Sequence, residues 1–216
     1  AMASIVASLK RVRSSIAAGD REDIPDFAVP LFDKTSEQYG TKQFQFHVPP
    51  ATSFFRAHKP EKHGDDLTAI RKTIVATNEQ KQAVNGIDRG RFGIGIRGLS
   101  PIYAMSGDHV GSVEFGLSIA GEFFDRFKEA QGVDIGLFLS RDGEAFDLLA
   151  HNVSDFAMSS ERLARAYDGR LVAFTDTVND TPVRTYARVL TDFDGDPVGV
   201  MTLSMDRSDE LSAIAK

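Results

Sequence analysis

Along the first forty residues the apolar side chains keep helical spacing, and after Gly40 they alternate. Ile5, Leu9, Val12 and Ile16 recur at steps of four, three and four, which places them on one helical face with Lys10, Arg11, Arg13 and Ser14 off it. Gly19-Asp20 reads as the stop, and the stripe suits either core packing or a dimer seam. A second helical piece is expected over 24–39, with Pro25 in its first turn, Pro30 as a kink and Gly40 as its C-terminal cap. Then the period becomes two: Phe44 and Phe46 share one face of a strand, Gln45 and His47 the other. Pro49-Pro50 turns the chain into a second strand over 53–58, with Phe54, Arg56 and His58 expected on one side and Phe55 and Ala57 opposite. Asp65-Asp66 is expected to open a helix whose stripe is Leu67, Ile70, Ile74 and Val75, with Arg71 beside it.

Strands are expected over 84–88, 92–103 and 109–119, followed by a helix over 120–131 that buries Phe123, Phe124 and Phe127 and ends at Gly132. The pattern continues with a strand over 133–139, a short helix over 159–167 and strands over 171–177, 184–190 and 198–205. Ser208-Asp209-Glu210 reads as the cap and first turn of a final helix carrying Leu211 and Ile214.

An internal repeat organises these elements. Gly107-Asp108-His109-Val110-Gly111 returns as Gly195-Asp196-Pro197-Val198-Gly199, each a hairpin turn feeding a closing strand. Gly40 and Gly132 each end a helix and precede a strand, so both copies begin and end alike. The fold class is therefore α+β: a long N-terminal helix, then two units, each an antiparallel sheet flanked by helices. The segments are 1–40, 41–120, 121–207 and the start of a C-terminal helix at 208–216.

Composition narrows the function. With 42% hydrophobic and 26% charged residues the chain is a folded protein, and a net charge of −6 opposes nucleic-acid binding. There is no cysteine, hence no disulfide, thiol nucleophile or thiolate metal site. No apolar run reaches the length of a membrane span, and Ala1-Met2-Ala3 reads as a cloning remnant on a piece of a longer protein. The charge is uneven: residues 40–103 carry 10 Lys/Arg against 5 Asp/Glu, whereas residues 104–216 carry 10 against 20. A cationic first copy suits an anionic or zwitterionic ligand, and the second copy looks structural.

Gly93-Ile94-Gly95-Ile96-Arg97-Gly98 matches G-x-G-x-x-G, but a strand pattern follows where a dinucleotide loop needs a helix. The glycines instead let something approach the sheet closely. His47, His58 and His63 with Glu61 lack metal-ligand spacing, and Asp192, Asp194 and Asp196 lack the late glutamate of a calcium loop, so no metal and no cofactor is expected. No catalytic triad, carboxylate pair or phosphate loop emerges, which argues against an enzyme. Arg56, Arg71 and Arg97 are the better ligand-touching candidates, and Glu114 is expected to pair with one of them.

The run from Phe44 to Arg56, with His58-Lys59-Pro60-Glu61-Lys62, Gly95-Ile96-Arg97-Gly98 and Gly111-Ser112-Val113-Glu114-Phe115-Gly116, resembles the extracytoplasmic double-Cache sensor region of bacterial methyl-accepting chemotaxis proteins. The resemblance covers nearly the whole chain. It implies two PAS-like units, a periplasmic location, flanking transmembrane helices outside this chain, a homodimer, and a ligand in the membrane-distal unit at 41–120. In amino-acid-binding relatives an acidic residue in the distal closing strand holds the ligand amine, and Glu114 occupies the similar place. The tyrosine, arginine and tryptophan spacing that accompanies it is not found here.

The expectation is a chemoreceptor sensor that binds a small polar molecule, a carboxylate or zwitterion, and transmits a conformational change to the membrane. The candidate ligand-binding residues are Phe46, His47, Phe54, Arg56, His58, Arg71, Arg97, Tyr103 and Glu114. Phe46 and Phe54 would wall the pocket, the arginines neutralise the ligand, and His58 donate a hydrogen bond. The alternatives are a kinase or cyclase sensor, a partner-binding domain without a small ligand, and a metal-assisted hydrolase using His47, His58 and His63.

Overall fold

The computed structural model describes residues 1–90, 93–119, 121–140, 142–152 and 158–214. The expected strand and helix starts at Phe92 and Ala120 lie outside them. The chain forms two compact units, Ala1–Ser118 and Ile119–Lys216.

In the first unit, α1 (Met2–Ser8), α2 (Lys10–Ala18) and α3 (Pro25–Tyr39) precede β1 (Thr41–Val48) and β2 (Thr52–Arg56); α4 (Lys72–Gln80) then leads to β3 (Val84–Gly90), β4 (Gly93–Tyr103) and β5 (His109–Ser118). The sheet order is β2-β1-β5-β4-β3, antiparallel throughout. The second unit runs α5 (Glu122–Gln131), β6 (Val133–Leu139), β7 (Asp147–His151), α6 (Ser160–Tyr167), β8 (Val172–Val178), β9 (Thr181–Thr191), β10 (Pro197–Asp206) and α7 (Ser208–Ile214). Its sheet order, β7-β6-β10-β9-β8, is the first order over again. Among the described strands only β7, whose residues are mostly exposed, was not legible in the apolar pattern.

The repeated pentapeptide does the same work twice. Ala104 N–H donates to Asp108 O at 2.8 Å in one turn and Asp192 N–H to Asp196 O at 2.8 Å in the other, with Gly107 at φ 97° and Gly195 at φ 91°. A Cβ on the closing glycine would fall on a carbonyl oxygen of the neighbouring strand, that of His47 for Gly111 and that of Phe138 for Gly199. Glycine is required there because two backbones touch.

The N-terminal segment is broken where one long helix was expected. Leu9 is extended (φ −63°, ψ 127°), so α1 and α2 are separate and the four-residue stripe does not persist. Val12 and Ile16 are buried as expected, but Ile5 is 63% exposed, and Ala3, Val6 and Ala7 take its place in the core. The second expected helix matches α3, with Pro25 in its first turn, Pro30 inside and Gly40 left-handed at its cap.

The helix expected from Asp65 begins at Lys72. The intervening backbone is bound to β2 and the preceding turn: Gly64 N–H donates to Ser53 O, Ser53 N–H to Asp65 O, and Leu67 N–H to Ala51 O. Groups engaged across to another segment are unavailable for an i to i+4 ladder. In α5 Phe124 is fully buried, while Phe123 and Phe127 are half-buried rather than buried.

The first sheet has two unlike faces. Phe44, Phe46, Phe55, Val113 and Phe115 join Val6, Val12, Ile16 and Ala28 of the N-terminal helices in one apolar core, with the Phe44 and Phe115 rings stacked at 4.2 Å. The other face carries Gln45, His47, Arg97, Ser112 and Glu114, all buried. A smaller apolar cluster of Ala51, Leu67, Ile74 and Leu99 closes over that side, together with α4.

Candidate ligand-binding site

The polar face is built by strand register. Gln45 stands opposite both Arg56 and Glu114, and His47 opposite both Ser53 and Ser112, so one row of charge lies beside one row of neutral groups. A bulge in β2 makes this possible: Phe46 pairs with Phe55 but His47 with Ser53, leaving Phe54 as the extra residue. Strict alternation would put Phe54 with Arg56. The bulge instead sends Phe54 and Phe55 both into the apolar core and returns Arg56 to the polar face.

Glu114 is the centre of the charged row. Its carboxylate accepts from Arg71 Nη2 at 2.5 Å and Gln45 Nε2 at 2.8 Å, with Arg97 Nε and His47 Nε2 each at 3.7 Å. Complete burial opposes its charge, but Arg71 and Arg97 outweigh that and hold its pKa down to about 2. Burial pushes His47 the opposite way in charge, down to about 3, so it is a neutral imidazole. Among the described residues neither His47 ring nitrogen has a hydrogen-bond partner, and the same is true of the Ser53 and Ser112 hydroxyls.

Arg71 precedes α4 and also meets Asp88 at 3.4 Å. Asp88 in turn accepts from the Thr73 backbone N–H and hydroxyl at the start of that helix, where a carboxylate is favoured by the helix dipole. Arg97 lies in a cradle made by two glycines. A Cβ on Gly116 would fall on its Nη1 and one on Gly95 would sit 3.0 Å from its Nη2, and Nη1 donates to Gln43 Oε1 at 2.6 Å. Within the G-x-G-x-x-G run the close approach is at Gly95, where a Cβ would sit 2.8 Å from the Leu117 carbonyl oxygen and 3.0 Å from Arg97; a Cβ on Gly98 would meet nothing within 4 Å.

Beside this row opens a cavity of about 110 Å³. Gln43 and Gln45 line it from β1, Arg56 from β2, then His58, Lys59, Lys62, Asp65, Leu67, Ile70 and Arg71. Among the described residues four cations and one carboxylate therefore face it directly. Arg56 donates to Asp65 Oδ2 at 3.0 Å, Lys62 O at 3.1 Å and Gln45 Oε1 at 3.4 Å. His58 is half-buried, and burial, reinforced by Arg56, lowers its pKa.

Of the residues expected at the site, Arg56, His58 and Arg71 line the cavity, and His47, Arg97 and Glu114 form the buried polar layer beside it. Three are placed elsewhere. Phe46 lies fully buried on the opposite face, edge-on to Phe27 at 6.3 Å, and cannot wall this cavity. Phe54 is in that same core, beneath the Arg21 guanidinium at 5.7 Å, because of the bulge. Tyr103 ends β4, where its hydroxyl donates to Lys81 O at 2.9 Å. Gln43, Gln45, Lys59, Lys62, Asp65 and Asp88 were not singled out from sequence; the shared face of Gln45 and His47 was the one signal available.

The histidines do not gather. His63 contacts Arg21, His58 meets the Phe44 backbone, and His47 adjoins Glu114. Among the described residues no group of three or more metal-ligating side chains assembles.

The second unit provides an internal comparison. Aligning the two closing strands on their shared pentapeptide places Thr202 where Glu114 stands, and register then places Gly136 for Gln45, Phe138 for His47 and Val200 for Ser112. Phe138 and Val200 belong to an apolar core there. The same scaffold is charged in one copy and greasy in the other.

The family profile dCache_3, the double sensory domain of two-component sensor kinase, matches residues 1–211. The chain belongs to this family. This double sensory domain is similar to an extracellular ligand-binding receptor from Desulfohalobium retbaense, at 19% identity and TM-score 0.52 over 94% of this chain and 38% of that one. It thus spans well under half of that receptor. It is also similar to a domain of a sensory box/GGDEF family protein from Vibrio parahaemolyticus, at 12% identity and TM-score 0.53 over 95% and 86% of the two chains. The ligand-binding domain of a Campylobacter jejuni chemoreceptor in complex with L-valine matches at 12% identity and TM-score 0.50 over 95% and 81%. These likenesses are of fold. No curated protein sequence matches the double sensory domain. Among the described residues no helix is long and apolar enough to cross a membrane.

Proposed function

We propose that the chain is the extracytoplasmic sensing region of a transmembrane signalling receptor, and that its first unit binds a small carboxylate-bearing molecule. The observation that carries this reading is the cavity beside Gln45, faced among the described residues by Arg56, Arg71, Lys59 and Lys62 against one carboxylate, that of Asp65. A partly open, cation-lined space of this size, with apolar surface from Leu67 and Ile70, suits a small organic acid. An ammonium group finds no welcome there, because the buried Glu114 carboxylate is already engaged by Arg71 and Gln45. The family description supports a kinase as the output, and the resemblance of the run from Phe44 to Arg56 supports a chemotaxis output; the sensing step is common to both.

Thermal-shift screening tests the ligand class, with small carboxylates set against the matching amides, amines and amino acids. A ligand at a hundred times its Kd stabilises by about 2.7 kcal/mol. Carboxylates should raise the melting temperature while their amides do not, and Lys59→Ala with Lys62→Ala should weaken the effect. A hit indifferent to both lysines, or a response to amines alone, overturns the reading.

A further inference from the structure

Glu114 serves two buried arginines unequally. Arg71 Nη2 reaches its carboxylate at 2.5 Å and Arg71 also meets Asp88, whereas Arg97 Nε stands 3.7 Å away, too far for a hydrogen bond, and among the described residues has no other partner. At Arg71 burial is outweighed by Glu114 and Asp88 and the pKa rises; at Arg97 burial prevails over Glu114 and the pKa falls. The Arg97 guanidinium is held instead by a neutral group, the Gln43 amide oxygen, which accepts from Nη1 at 2.6 Å. Gln43 is half-buried and lines the cavity, while the backbones of Gly95 and Gly116 lie against the guanidinium. Arg97 therefore sits one neutral side chain behind the cavity wall.

We propose that Gln43 is a neutral placeholder on Arg97 and that the carboxylate of the ligand displaces it, so that Arg97 is the anchoring cation of the site. The proposal rests on the carboxylate-sensor reading above. Gln43 carries no charge, so its departure strands none, and Arg97 exchanges an amide oxygen for a carboxylate, a bond roughly twice as strong. Arg71 and Arg56 offer no such exchange, because each already donates to a carboxylate. Glu114 opposes the incoming anion only weakly, since Arg71 and Gln45 already hold it. The pairing of Gln43 with Gly116 is made by backbone, so the amide turns aside by side-chain rotation while β1 keeps its register on β5.

The test is calorimetric titration of acetate, lactate and succinate, with lactamide as the uncharged counterpart, into the 216-residue chain and two variants that keep the side-chain volume. Gln43→Met removes the accepting oxygen and should tighten each carboxylate that binds by about two- to tenfold, the worth of one neutral hydrogen bond. Gln43→Glu fixes a carboxylate on Arg97 and should weaken the same acids about tenfold or more. Lactamide should bind none of the three proteins. Tightening in Gln43→Met together with weakening in Gln43→Glu supports displacement. Weakening in Gln43→Glu with unchanged or weaker binding in Gln43→Met reduces the effect to added charge or a lost contact and overturns it, as does binding in Gln43→Glu equal to that of the parent chain; in each case the carboxylate site itself survives. If none of the three proteins binds any carboxylate, the sensor reading fails and displacement fails with it.

Discussion

Acidification should weaken the first unit well before its carboxylates protonate, and His47 is the reason. Its imidazole is fully buried, lacks a hydrogen-bond partner among the described residues and has its pKa lowered from 6.5 to about 3. The unfolded chain takes up a proton here below about pH 6.5 and the folded chain does not, so stability present above that pH is lost as the pH falls towards 3. The slope is ~1.4 kcal/mol per pH unit, or about 2–3 kcal/mol between pH 6.5 and about 4.5. That window lies above the ordinary 4.5 of Glu114, whose own contribution is intact there. Hydrogen exchange of the β1 and β5 amides reads the opening of this unit without involving the second. His47→Gln should flatten the dependence by that amount; His58 and His109 are present in both proteins and cancel. Equal losses in parent and variant would refute the claim that a buried neutral histidine governs this range.

Glu114→Gln should destabilise the first unit by about 3–5 kcal/mol in urea unfolding, since it leaves Arg71 and Arg97 beside a neutral amide. In the parent chain the contribution of Glu114, whose pKa falls from 4.5 to about 2, should persist above pH 4.5 and disappear as the pH drops towards 2. Gly111→Ala and Gly199→Ala should each cost their own unit about 1–3 kcal/mol or more, because the new Cβ meets fixed backbone. Gly116→Ala should cost about 1.5–3 kcal/mol, because the new Cβ meets the far end of the Arg97 side chain, not backbone, and the displaced guanidinium loses its bond to Gln43; restoration of the loss by a further Arg97→Lys change, whose shorter head leaves that space, would support this cause, and an unchanged deficit would contradict it.

The duplicated scaffold carries two different interiors on one backbone design. Backbone requirements, such as the glycine closing each pentapeptide, are shared by the copies, while the residues opposite one another on the inner face are not. His47 and Glu114 give way to Phe138 and Thr202, both buried without any need of charge compensation.

Much of this was legible along the chain because it is local. The alternation at Phe44-Gln45-Phe46-His47 dictates two unlike faces, Gly40 and Gly132 dictate where helices end, and the repeated turn dictates two hairpins of one design. Local rules also explain the errors. A single extended residue, Leu9, breaks a face that continuous spacing would maintain, and a single inserted residue, Phe54, reverses the side on which it was expected. Neither is marked by composition. The site lies further still from local rules, since Arg71 reaches Glu114 across 43 residues and Arg56 reaches Gln45 across a strand pair. The sequence by itself determined that the first copy would be cationic and two-faced. Which cation each carboxylate would neutralise was decided by strand register, because charges choose partners by distance in space and burial settles whether the choice can be undone.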